Sequence, residues 1–242
     1  AWITTLIGDD GYVKGVITLQ YSLQHVLHSM YPLLVLYTST TPPQVVHLLQ
    51  SIGCRMKKVD NIQPPEPVQY SQERFRNTWT KLAAWDQDDY DRLVLIDADM
   101  LPIRNMDDIM TLPFPQDDWI AASPACTCNP QKITNYPHDW IPEKCAYTYT
   151  SKDDTSFQTT FFQRSSLHYF NSGLVVLKPR HAIFETMIKR LEVEPEIRHY
   201  IFPDQDLLNH QFRDHWTVLP YTFNALKPMV ISHPSLWDLH RI

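Results

Sequence analysis

The stretch RLVLIDADMLPIRN, Arg92 to Asn105, decides how the rest of the chain is read. Leu93 to Ile96 form an unbroken apolar run of strand length, and a strand without polar alternation belongs in a sheet covered on both faces. The run then stops at two carboxylates one residue apart, Asp97 and Asp99. Neighbouring anions repel, so the arrangement is comfortable only beside a cation. Hard carboxylate oxygens select Mg²⁺ or Mn²⁺ over softer metals. An ion held by two protein ligands keeps coordination positions open for substrate phosphates. Taken alone the Asp-x-Asp signal is weak, because turn or capping aspartates account for such a pair roughly half the time.

Outward from this stretch, the first half alternates strands and helices. AWITTLI reads as a strand and YVKGVITLQYSLQHVL as a helix. PLLVLYT is a strand, PQVVHLLQSIG a helix entered on Pro and left on Gly, and CRMKKVD a short strand. After the proline-broken NIQPPEP, a helix through NTWTKLAAWDQ leads into RLVLI. The order implies a mostly parallel sheet flanked by helices, with ligands beyond the carboxyl ends of its strands. From Pro113 to Ser166 the pattern dissolves into an irregular insertion, of the length usually kept for a lid or a wall. HYFNSGLVVLKP restores a strand, RHAIFETMIKRLE a helix, and DQDLLNHQFRDH a helix opening on acids. The expectation is one α/β domain over residues 1–242, with a nucleotide-binding half at 1–112, the insertion at 113–166 and an acceptor-side half at 167–242.

Composition narrows the function classes. A net charge of −6 argues against nucleic acid as partner. No apolar run approaches the roughly 20 residues of a membrane span, and no signal peptide is visible. These point to the cytoplasm, although a chain opening on Ala1 leaves a secretory or Golgi route open. Nineteen prolines against five glycines, with neither G-x-G-x-x-G nor a P-loop, remove the usual warrant for dinucleotide or Walker-type phosphate cradles. Cys126, Cys128 and Cys145 lack the paired Cys-x₂-Cys spacing of zinc modules, so the four cysteines read as reduced structural thiols, with a Cys128–Cys145 bridge as a minor alternative.

DDGYVKG, TKLAAW, LIDADML, FNSGLVVLKP and PDQDLLN occur in the order and approximate spacing of glycosyltransferase family 8, and the chain resembles that family from residue 1 to about 230. The glycogenin-like and galactinol-synthase-like retaining sugar transferases belong to it. The resemblance implies a GT-A fold with one Rossmann-like nucleotide-binding domain, a UDP-hexose donor, and Mn²⁺, or Mg²⁺, on Asp97 and Asp99. It places Ala98 near the ribose, Asp9 and Tyr12 at the uracil with Leu6 and Ile7 lining that pocket, and Lys81 facing the donor with Arg76 as a second cation. It sets Asn171 and Ser172 against the hexose, and Asp204 and Gln205 beside its reacting carbon. Local alternatives stay open: Tyr12 as core, Lys81 as a solvated helix cation, Asn171 as a strand-edge cap, Asp204 as an N-cap.

One departure stands out. The family takes a third metal ligand from a His followed by Gly and a Lys-Pro-Trp segment, and the chain stops at HPSLWDLHRI without it. Of the eleven histidines, His233 and His240 are the two singled out, and His240 matches that ligand poorly. An incomplete metal shell is the expectation, which keeps a catalytically weakened nucleotide-sugar-binding protein as an alternative to the transferase. A haloacid-dehalogenase-type phosphatase also carries Asp-x-Asp after an apolar strand, but there on the first strand and with Thr or Val following where this chain has Met100. The acceptor hydroxyl is not legible; polyol, glycan and protein all fit, and a homodimer is compatible. The aromatics of the insertion (Trp119, Tyr136, Trp140, Tyr147, Tyr149) read equally as a sugar-stacking wall or as packing.

Overall fold

The computed structural model describes residues 1–8, 11–150, 168–240 and 242. Seven strands form one sheet in the order β3-β2-β1-β4-β6-β5-β7: β1 Trp2–Leu6, β2 Leu33–Tyr37, β3 Arg55–Lys58, β4 Leu93–Ile96, β5 Ile120–Pro124, β6 Phe170–Leu177 and β7 Trp216–Val218. β1 pairs in parallel with β2 and β4, β2 with β3, and β5 with β7; β6 alone runs against both neighbours, β4 and β5. The helices are α1 Tyr12–Tyr21, α2 Pro43–Ser51, α3 His181–Val193, α4 Pro203–Gln211 and α5 Met229–Ser232.

Period-two alternation divides the apolar strands between two cores. Leu93 and Leu95 of β4, Leu34 and Leu36 of β2, and Ile3 of β1 enter one cluster with Trp79, Trp85 and Trp216. Val94, Ile96, Leu33, Val35, Trp2 and Leu6 enter the other with Val16 and Leu19 of α1. Both faces of β1, β2 and β4 are therefore covered, as their apolar runs require, whereas the edge strand β3, RMKK, is partly exposed. No helix among the described residues is long and apolar enough to cross a membrane.

The structure departs from expectation at three places. Residues Glu73–Asp86 form a succession of 3₁₀ turns rather than an α-helix; Trp79, Leu82, Ala83 and Trp85 are still buried by it, because packing rather than helix type supplies the energy. The insertion is not wholly irregular. It holds β5, IAASP, whose five residues are all buried; its Ala and Ser carry little β-propensity, so it forms because β6 and β7 offer it partners. The third departure is β7, a strand only three residues long that periodicity does not show. The α1 segment instead runs on as expected, its last turn widening to a π-turn over Ser22–Val26.

Candidate active site

The strand order changes direction between β1 and β4: the chain goes on from β1 to β2 on one side and from β4 to β5 on the other, which opens a crevice at the carboxyl ends. A cleft of about 300 Å³ occupies it, lined by Ile7 and Tyr12 after β1, Thr78 and Lys81 from the 3₁₀ turns, Asp97, Ala98 and Asp99 after β4, Asn171 and Ser172 of β6, and Asp204 and Gln205 of α4. That volume lies at the lower end of the roughly 300–1,000 Å³ usual for small-molecule sites.

Two glycines allow these pieces to meet. A Cβ on Gly15 of α1 would stand 2.1 Å from the carbonyl oxygen of Ala98, so only glycine lets α1 press its first turn against the Asp-x-Asp turn. A Cβ on Gly173 would stand 2.8 Å from Asn171 Oδ1 and 3.4 Å from Asp97 Oδ2. Its carbonyl accepts the amide of Asp97 at 2.9 Å, which continues the β4–β6 ladder past the end of β4.

The cation beside Asp97 is Lys81. Its ammonium lies 2.7 Å from Asp97 Oδ1 and 3.0 Å from Asp204 Oδ2, with the three side chains 12%, 29% and 6% exposed in the order Lys81, Asp97, Asp204. Burial works against the Lys81 ammonium, but Asp204 and Asp97 outweigh it and hold the lysine protonated above its ordinary range. Burial pushes the Asp97 carboxyl up to about 6 even though Lys81 pulls the other way; Asp204 and Asp99 add to the rise. Asp99 is exposed at the cleft.

Behind this triad the polar groups of β6 and α4 interlock. Ser172 Oγ donates to Asp204 Oδ2 at 2.9 Å; Asn171 Nδ2 and the Ser172 amide both donate to Gln205 Oε1, at 2.8 and 3.1 Å; Gln205 Nε2 donates to the Tyr169 hydroxyl at 3.0 Å. Tyr169 in turn donates to Asp206, which also accepts the amides of Ile201 and Phe202 at 2.8 and 2.9 Å. Burial raises the Asp206 carboxyl, and these donors pull against the rise. Asp204 sits inside α4 rather than at its N-cap, which is Phe202; the acid steadying the helix entry is Asp206.

Leu6 and Arg76 stand outside the cleft lining. Leu6 is the inward-facing end of β1, 1% exposed. Arg76 is exposed, pairs with Glu73 at 2.6 Å and lies 5.9 Å from the Tyr70 ring. The arginine at the cleft is Arg74, with Phe75, Asn77, Thr5 and Phe202 as further lining that sequence reasoning missed. The 3₁₀ geometry accounts for this: at three residues per turn Arg74 and Asn77 share one edge and Phe75, Thr78 and Lys81 the next, whereas Arg76 falls on the third edge with the buried Trp79. Asn224, also missed, donates to Asn171 Oδ1 at 2.8 Å from a turn beyond β7. Asp9 lies outside the described residues. His240 is exposed and outside the cleft lining, and His233 is buried elsewhere, 3.2 Å from Cys128 Sγ.

Of the insertion's aromatics, Trp140 stacks on Phe202 at 5.4 Å and Tyr136 meets the same ring edge-on at 5.1 Å; Phe75 meets it from the cleft side at 5.9 Å. Tyr147 is core, its hydroxyl donating to the Pro124 carbonyl at 2.6 Å. Trp119 packs on His215 at 5.8 Å, and Tyr149 is exposed.

A sheet with its cleft at the β1/β4 switch point, acids on the loop after β4, and a polar brace from a reversed strand define an α/β protein built to hold a ligand at the carboxyl ends of its strands. The family model described as glycosyl transferase family 8 matches residues 3–235. The chain belongs to that family: an enzyme, of the hexosyltransferase class. Galactinol synthase 7 of Arabidopsis thaliana is 27% identical over 243 residues, covering all of this chain and 70% of that protein. Among solved structures, the galactosyltransferase LgtC in complex with donor and acceptor sugar analogs superposes with a TM-score of 0.63 at 15% identity, covering all of this chain and 85% of that one. The glycosyltransferase GlyE of Streptococcus pneumoniae TIGR4 gives 0.61 at 16% identity; this chain is 97% covered and spans 49% of that one. These superpositions establish the GT-A fold. With the acid pair on the fourth strand and this family match, the phosphatase reading loses its support.

Proposed function

We propose that the cleft binds a UDP-hexose and that the enzyme passes the hexose to an acceptor hydroxyl with retention at the anomeric carbon. The observation that carries this reading is the Lys81 ammonium held between Asp97 at 2.7 Å and Asp204 at 3.0 Å in a cleft at the sheet's switch point. It joins the proposed diphosphate end of the site to the proposed sugar end through one buried cation.

Asp97 and Asp99 both open onto the cleft and offer only hard oxygens, a donor set that fits Mn²⁺ or Mg²⁺. Bound there, the ion would supply Lewis-acid stabilisation of the departing diphosphate, worth several kcal/mol. The chain's own groups do the rest. A lysine carries three donors, and two are committed to carboxylates, which leaves one directed at phosphate oxygen. Asn171 and Ser172 present the hexose contacts on a strand that cannot shift, since Gln205 and Asp204 clamp them. Gln205 has both ends of its amide engaged, so its role is positioning rather than nucleophilic attack.

The step then runs on one face of the sugar. The bond from C1 to the phosphate oxygen breaks with its electron pair going to UDP. The acceptor oxygen bonds C1 from the same side, and its proton passes to the leaving phosphate oxygen. Phe75 and Phe202, backed by Tyr136 and Trp140, form an aromatic edge that suits a sugar or polyol acceptor. The galactinol synthase likeness also favours a polyol.

Calorimetric titration with UDP, with and without Mn²⁺, followed by a mass-spectrometric donor screen, tests the proposal. Metal-dependent UDP binding and turnover of a UDP-hexose are expected. UDP binding without turnover of any nucleotide sugar would select a binding protein instead, and turnover of a different nucleotide's sugar would overturn the uracil assignment.

A further inference from the structure

Outside the cleft, three thiols and an imidazole converge in the interior. Cys126, Cys128, Cys145 and His233 are 6%, 5%, 1% and 7% exposed, and their four ligand atoms lie within 4.8 Å of one another. His233 Nε2 is 3.2 Å from Cys128 Sγ and 3.4 Å from Cys145 Sγ. None of the four lines the cleft.

The chain goes to some length to assemble them. Cys126 and Cys128 follow β5 two residues apart, and Asn129 then turns the chain with a positive φ of 45°, its side chain bonding both the amide and the carbonyl of Ile133. Cys145 follows a 3₁₀ turn over Pro142–Lys144. His233 ends α5, its amide bonded to the Met229 carbonyl at 2.8 Å, and it is 88 residues from Cys145 in sequence. Thiols are weak donors and weak acceptors, so they compensate poorly for a desolvated imidazole. A soft divalent cation satisfies all four at once. In a tetrahedral zinc site with bonds of about 2.3 Å to sulfur and 2.0–2.1 Å to nitrogen, the sulfur–nitrogen edges are about 3.6 Å and the sulfur–sulfur edges about 3.8 Å. The two sulfur–nitrogen separations of 3.2 and 3.4 Å lie within about 0.4 Å of that edge, and all four ligand atoms already lie within 4.8 Å of one another.

We propose that Cys126, Cys128, Cys145 and His233 form a closed structural zinc site, distinct from the hard-oxygen pair at the cleft. Its four ligands leave no position for substrate, so its work is mechanical. It staples the 125–145 part of the insertion to the segment after α5. Tyr147, whose ring meets His233 edge-on at 5.9 Å and Tyr221 at 6.2 Å, packs against the same staple. Zinc binding at such a site is folding free energy.

The test uses the full chain produced without a metal-affinity step and dialysed against a mild chelator, which strips hard-oxygen sites. Elemental analysis is expected to find stoichiometric zinc, released in step with mercurial titration of thiols. Cobalt exchanged into the site should show thiolate charge-transfer absorption and intense tetrahedral bands. His233→Cys should keep zinc, His233→Ala should hold it more weakly, and Cys54→Ser, which removes the cysteine outside the cluster, should leave content unchanged. Folded protein lacking zinc, with all four thiols titrating or a disulfide detected by mass, overturns the proposal. So does zinc retention in a Cys126→Ser/Cys128→Ser variant, or equal loss in Cys54→Ser. Because the wild-type metal content decides first, a variant that fails to fold does not shield the idea.

Discussion

The two halves of the sheet hold their side of the cleft by different means. The β3-β2-β1-β4 half is parallel and regular; its apolar strands β1, β2 and β4 fix the backbone from which Asp97 and Asp99 reach the cleft. The β6-β5-β7 half turns one strand round and contributes a side-chain network, in which Asn171, Ser172, Gln205, Tyr169 and Asp206 satisfy one another across 30 or more residues. Apolar packing tolerates volume-conserving change, whereas a buried polar network left half satisfied costs more than an apolar core. The regular half should therefore tolerate substitution, and the networked half should not.

Lys81, which joins the halves, gives the sharpest way to break that contrast. Asp97→Asn is expected to lower kcat by about 10³-fold or more with little loss of stability, since Lys81 keeps Asp204; near-normal turnover with Mn²⁺ present would remove the metal role. Lys81→Met leaves two carboxylates without their cation and should cost about 3–5 kcal/mol in denaturant unfolding, besides lost turnover. Gly15→Ala drives a methyl group into the Ala98 carbonyl and should cost about 1–3 kcal/mol, with weaker UDP binding as α1 backs away; an unchanged melting curve would contradict the close approach. Phe202→Ala should raise the acceptor KM several-fold at nearly constant kcat. An equal loss in donor binding would move the aromatic edge to the donor side.

The smallest effect is a pH dependence. Asp97 titrates near 6 in the fold against about 3.9 in an unfolded chain. The native state thus holds the proton more tightly, and this carboxyl's contribution to stability falls as pH rises from about 4 to about 6. Metal-free protein should show that decline in urea midpoints, flattened in Asp97→Asn. A midpoint that rises instead through this window in the wild type, and not in the variant, would reverse the sign.

What could be read from the residues differs between the halves for the same reason. β1, β2 and β4 announce themselves as short apolar runs and α1 and α2 by helical spacing, and Asp97 and Asp99 stand out where the apolar run of β4 stops. Lys81 was legible through its motif, but its bridge to Asp204 spans 123 residues. β5 was not legible, since IAASP is a strand only between its partners. Arg74 was missed in favour of Arg76 because a motif names residue types, while the face of the 3₁₀ turns decides which one reaches the cleft.

The sequence by itself determined a buried parallel α/β core, the acid pair at its edge and membership of a sugar-transferase family, because these depend on local period and on short motifs. Only the tertiary structure decided which cation meets Asp97, how β6 and α4 brace one another, and that three cysteines share an interior pocket with His233. Those are contacts between positions far apart in the chain, and nothing local to either partner encodes their distance.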